Sequence, residues 1–176
     1  MRKADKQLIN FLEQMNSMIK NNNRKNNEFY YSSVYDFILK EGKTYKSQKL
    51  TKQEKDIVKN AIMVLGFKPQ YKQCYYNAQL LAISDRTNTI KYVEGQAQNL
   101  IPTSHGWNEI NGKIIDVTYK HNDKIILGNI PENSGYIGIV VDTEIIRRKI
   151  LNTGYSNPII EDWENHFPLL QKKYSI

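Results

Sequence analysis

In the first half of the chain apolar residues recur every three or four positions; in much of the second half they alternate or gather in short runs. Leu8, Phe11, Leu12, Met15, Met18 and Ile19 are spaced as one face of an amphipathic helix over residues 5 to 20. The run NNNRKNN, 21 to 27, breaks that pattern and reads as a linker. A second helix is expected from Tyr30 to Lys40, through Val34, Phe37 and Ile38, with Gly42 ending it. Thr51 and Glu54 form a capping box that opens a third, running to Leu65 with Gly66 as its C-cap. After Pro69 the segment QCYYNAQLLAIS reads as a helix from about Cys74, with Ala78, Leu81 and Ala82 on one side.

Past residue 88 the period changes. TIKYVEGQA, SHGWNEI and GKIIDVTY read as strands, KIILGNI as a short one and GYIGIVV as a buried one. Residues 143 to 152 return to helix with Gly154 as the stop, and NPIIEDWENHF suggests a last short helix. Helices followed by an antiparallel sheet define an α+β class. At 176 residues one domain is expected, with 1–45 a helical extension and 46–176 the core.

Two polar residues stand out in the sheet region. Asn111-Gly112 is a strong signal for a type I′ hairpin turn, which needs positive φ at both positions. That turn pairs Ile110 with Lys113, so Trp107 faces Asp116 and His105 faces Thr118. Alternation then puts His105, Trp107, Ile114, Asp116 and Thr118 on one side, with His105 and Asp116 diagonal neighbours. A one-residue slip would separate them. A solvated hairpin would carry such a pair without purpose, but Trp107 and Ile114 suggest a covered face, where a carboxylate needs a partner.

The lone cysteine, Cys74, stands where a loop becomes a helix. A lone cysteine commonly packs as a small hydrophobe, yet a helix N-terminus stabilises a thiolate, and a nearby imidazolium would do so further. The loop ahead of it offers Gln70, Tyr71 and Gln73 as candidate oxyanion donors, beside the backbone N–H of Cys74. Tyr75, Asn77, Glu94 and Trp107 are candidates for contact with a substrate; each has a structural alternative in packing or ion pairing.

Cysteine at a helix start (QCYYNA), histidine on a strand (HGWN) and aspartate on the next strand (IIDVT) resemble the transglutaminase-like cysteine enzymes of the wider papain-like group. The likeness covers roughly residues 70 to 120, and the HGWN and DVT segments are its more specific part. It implies that Cys74, His105 and Asp116 are a catalytic triad on a papain-like core. Cys74 would attack an amide or ester carbonyl to give a thioester, released by water or by an amine. The expected partner is a peptide, a protein or a small amide or thioester.

Composition trims the alternatives. The formal charge is +7, but the lysines are scattered, in the Lys-, Asn- and Ile-rich manner of an AT-rich bacterial or phage coding sequence. That argues against nucleic acid as a partner, although a non-catalytic basic module contacting nucleic acid or an acidic protein is the competing reading. Arg147, Arg148 and Lys149 would be its best contact and otherwise form a solvated face. No phosphate-binding motif is present, His121 and His166 lack partners at metal-ligand spacing, and no cofactor or metal is expected. No apolar run reaches the roughly 18 residues of a membrane span. No signal peptide is read at the N-terminus, and one cysteine allows no internal disulfide, so a cytoplasmic location is expected.

Overall fold

The computed structural model describes residues 1–22, 29–64, 66, 68–121 and 124–171. Most of the expected linker at 21–27, and Leu65, lie outside the described residues. Among those described are five helices: α1 (Lys3–Asn22), α2 (Val34–Glu41), α3 (Lys52–Val64), α4 (Cys74–Ser84) and α5 (Thr143–Thr153). Six strands, β1 (Lys43–Thr44), β2 (Lys91–Gln98), β3 (Pro102–Ile110), β4 (Lys113–His121), β5 (Lys124–Leu127) and β6 (Gly135–Val141), form one antiparallel sheet. Its order is β1-β6-β2-β3-β4-β5. This is an α+β fold.

Local chemistry sets most boundaries. In the capping box the Thr51 N–H donates to Glu54 (2.7 Å) and the Glu54 N–H to Thr51 Oγ1 (3.2 Å). α2 starts at Val34, later than the periodicity predicts, because the Ser33 hydroxyl accepts the Asp36 N–H (2.9 Å) and caps the helix there. β1 is two residues long, too short to leave a periodic signal. Near the C-terminus two 3-10 turns, Trp163–Asn165 and Pro168–Leu170, stand where one short helix is expected. His166 and Phe167 both take positive φ (55° and 51°), which interrupts a right-handed helix between them.

One face of the sheet is covered by helices. Leu8 and Leu12 of α1, Phe37 and Ile38 of α2, and Ala78 and Ala82 of α4 pack on Tyr92, Ile137, Ile139 and Val141. Leu81, from the other side of α4, joins Val58 and Ala61 of α3 against Ile110, Ile115 and Val117. α4 is thus the central helix, enclosed from both sides.

The opposite face holds Tyr45, Val93, Ala97, Trp107, Ile114, Ile126, Ile130 and Tyr136. Residues 45–48 cross over it. The Tyr45 N–H donates to the Tyr136 carbonyl on β6 (3.2 Å), and the Gln48 N–H to the Gly128 carbonyl just past β5 (2.8 Å). Ser47 Oγ accepts the Ile130 N–H (2.9 Å). The segment therefore ties the two edges of the sheet, which curls around its aromatic interior. Gly128 (φ +82°) lies so close that a Cβ there would stand 2.0 Å from the Gln48 carbonyl oxygen. A division of the chain after residue 45 runs through this tie.

Candidate active site

The hairpin is paired as its turn dictates: Ile110 with Lys113, Glu109 with Ile114, Asn108 with Ile115, around Asn111 and Gly112 at φ 52° and 75°. Beyond Asp116 the register breaks. Asp116 pairs with Ile126 of β5 and Lys120 with Ile125, so Val117, Thr118 and Tyr119 intervene with no residue opposite. The cause is the aspartate itself, whose Oδ1 accepts the N–H groups of Thr118 and Tyr119, each at 2.9 Å. This bulge overturns one expectation. Thr118 does not share the face of His105; it turns to α4, where its hydroxyl accepts Asn77 Nδ2 (2.9 Å). Tyr119 takes the place instead, stacked on the His105 ring with centroids 3.9 Å apart and 12° between planes.

His105 and Asp116 are brought together. The ring Nε2 and Asp116 Oδ2 are 2.7 Å apart, and both side chains are sealed from solvent. The Tyr136 hydroxyl donates to the same oxygen (3.0 Å). The carboxylate thus accepts four hydrogen bonds, two from its own strand and two from across the sheet. With Nε2 committed to Asp116, Nδ1 is the ring nitrogen left over, and Cys74 is near enough to act on the imidazole. Burial disfavours charge on His105, but the Asp116 charge and hydrogen bond, followed by Cys74, outweigh it and raise the imidazole pKa to about 9. The imidazolium therefore persists across neutral pH.

Cys74 is the first residue of α4 and partly exposed. Gln73 supplies no side-chain cap, leaving the first-turn N–H groups without one. Asn77 clamps the loop ahead: Gln70 donates its N–H to Asn77 Oδ1 (2.9 Å) and accepts Asn77 Nδ2 (2.7 Å) at its carbonyl. One buried amide thereby holds the loop ahead of Cys74, α4 and β4 in one frame.

The remaining sequence candidates divide. Gln70, Tyr71 and Gln73 are exposed on the loop, Tyr71 beneath the Lys72 ammonium. Tyr75 is half-buried against Gly106, next to His105; burial, then the charges of Glu94, Glu161 and Cys74, raises its pKa. Asn77, Glu94 and Trp107, candidates for substrate contact, are instead fully buried in the scaffold. Trp107 packs edge-on against Tyr45 and Tyr136 and lies nearly parallel to His105, in space left by Gly138. Glu94 accepts Tyr92 OH (2.8 Å) and the N–H groups of Ile159 (2.7 Å), Ile160 (2.8 Å) and Glu161 (3.1 Å). Burial raises its pKa in spite of those donors.

Tyr136, Tyr119, Ser104 and Glu161 complete the surroundings and have no sequence signal. Each reaches the site through pairing or packing with a distant segment. Among the described residues no group of three His, Cys, Asp or Glu side chains is placed to hold a metal ion, and no helix is long and apolar enough to cross a membrane. Compared with protein-family models, with curated proteins and with solved structures, the chain has no significant match.

Proposed function

We propose that the chain is a cysteine hydrolase or acyltransferase of transglutaminase-like, papain-like architecture, acting on a peptide, a protein or a small amide or thioester. One observation carries this reading: a sealed His105–Asp116 pair at 2.7 Å, with one ring nitrogen left over and the cysteine that starts α4 near enough to act on the ring. At neutral pH the shared proton rests on His105 as an imidazolium, stabilised by Asp116 through Nε2, and Cys74 is its paired thiolate. The thiolate adds to the substrate carbonyl, and the oxyanion is held by the Cys74 N–H and its helix terminus. His105 returns the proton to the leaving group, leaving a thioester on Sγ. Water or an amine, deprotonated by the same imidazole, then releases the acyl group and regenerates the thiol. A reducing compartment such as the cytoplasm keeps a lone thiol in this working form.

Alkylation by iodoacetamide, followed over pH, tests the reading. A free thiol is about 0.3 % ionised at pH 6, whereas a paired thiolate persists. Cys74 should therefore react roughly tenfold or more faster than the unfolded chain at pH 6, and His105→Ala should remove the advantage. Rates equal to those of the unfolded chain would favour a non-catalytic binding module.

A further inference from the structure

A cavity of about 730 Å³ opens on the helical side of the sheet, within the size range of small-ligand sites. Its aromatic lining comes from Phe29 and Tyr31 ahead of α2, Tyr35 on α2, and Trp163 and Phe167 near the C-terminus. Its polar wall is Ser104, which precedes His105 on β3, together with Glu161. The Ser104 hydroxyl donates to Glu161 Oε1, and no basic side chain pairs with that carboxylate among the described residues. Lys20, at the rim, is drawn to Asp36 at 3.8 Å. Glu161 is held in place from behind, because its own N–H and those of the two preceding residues are fixed by Glu94.

We infer that this cavity binds an organic cation, an ammonium or guanidinium group carried by the substrate whose carbonyl meets Cys74. Aromatic faces and one unpaired, half-sequestered carboxylate are complementary to such a group: the rings supply negative π-faces and the carboxylate the countercharge. An anion would meet Glu161, and a neutral apolar group would leave the carboxylate desolvated without a countercharge. Tyr75, which follows Cys74 on α4, lies near enough for both Glu161 and Cys74 to act on its hydroxyl, and so links the polar wall of the cavity to the thiol. The substrate role rests on the proposed Cys-His-Asp chemistry; cation binding does not.

Titration of the Cys74→Ala protein with n-pentylammonium and with 1-pentanol, read by tryptophan fluorescence, tests binding without the thiol. The ammonium should bind saturably and about tenfold tighter than the alcohol, and Glu161→Gln, which keeps an acceptor for Ser104, should erase the difference. Equal binding, or ammonium binding that survives Glu161→Gln, overturns the inference. The wild-type protein is then alkylated with iodoacetamides bearing a 4-ammoniobutyl or a 4-hydroxybutyl tail. Faster labelling of Cys74 by the ammonium reagent, by roughly fivefold or more and dependent on Glu161, supports the substrate role; equal rates overturn it. A Cys74 inert to both reagents overturns the catalytic reading and the substrate role together, while the titration decides cation binding alone.

Discussion

Asp116 and Glu94 lie on opposite faces of the sheet, both sealed, each accepting four hydrogen bonds. Three of the Glu94 donors are successive backbone N–H groups, so that carboxylate fastens residues 159–161 to β2. Asp116 instead gives one oxygen to its own strand and the other to a tyrosine and a histidine. Its histidine is charged at neutral pH and lies near a thiol; the Glu94 partners are three backbone N–H groups and the Tyr92 hydroxyl, which burial keeps neutral. Burial and full satisfaction are therefore common to a clamp and to a carboxylate that holds a histidine. A charged partner beside a thiol separates them.

The largest effect that would sharpen this contrast is on turnover. Asp116→Asn should keep the fold yet lower turnover roughly 10- to 1000-fold, because an amide accepts the ring N–H but does not stabilise an imidazolium. Asp123, in the loop that follows, lies outside the described residues; Asp56→Asn, exposed on α3, is the surface control and should change little. Equal small effects at both positions would reduce Asp116 to a second clamp.

Next comes the pH dependence of stability. The His105 pKa is raised from 6.5 to about 9, so the folded protein holds a proton that the unfolded chain has already released. The stabilisation is fully present below about pH 6.5 and is lost as pH rises through 9. At about 1.4 kcal/mol per unit, this amounts to about 3 kcal/mol. Urea unfolding at pH 6 and pH 10 should show that loss in the wild type and not in His105→Gln; identical slopes would remove the charged pair from the account.

Glu94→Gln should cost about 1–3 kcal/mol of stability, since the new NH₂ group faces backbone donors it cannot accept from. Amide exchange should quicken at residues 159–161, and the pH profile of Cys74 labelling should stay where it was. A shifted profile would mean that the two carboxylates are not separate. The smallest change is expected for Tyr136→Phe, which removes one donor from Asp116 Oδ2. A hydrogen bond worth about 1 kcal/mol corresponds to about fivefold in turnover, measured as kcat with KM unchanged.

The sequence made part of this site legible because the controlling interactions were local. Asn111-Gly112 fixed the hairpin register, and with it the meeting of His105 and Asp116. The uncapped helix start at Cys74 could likewise be read from its neighbours. The exchange of Thr118 for Tyr119 beside His105 could not, because simple alternation does not include a side chain that folds its own strand into a bulge. Tyr136 and Glu161 reach the site through strand pairing and a clamp spanning 67 positions, contacts without local periodicity. Glu94 read as a cleft candidate or the partner of a lysine, because three of its four partners are backbone groups, to which side-chain patterns are blind.

The tie made by residues 45–48 has a consequence for how the molecule can be cut and what it can stick to. Strand edges are where chains recruit one another, and here the two edges of the sheet are joined by the stretch that follows the N-terminal helices. Arg2, near the start of α1, also grips this stretch, donating to the Tyr45 carbonyl (3.0 Å). A truncated protein beginning after Tyr45 would lose that anchor, together with β1 against β6. It would expose an unpaired edge beside an aromatic interior, a template for adding a strand from another molecule. In the intact chain β1 and Tyr45 cover that stretch of the β6 edge.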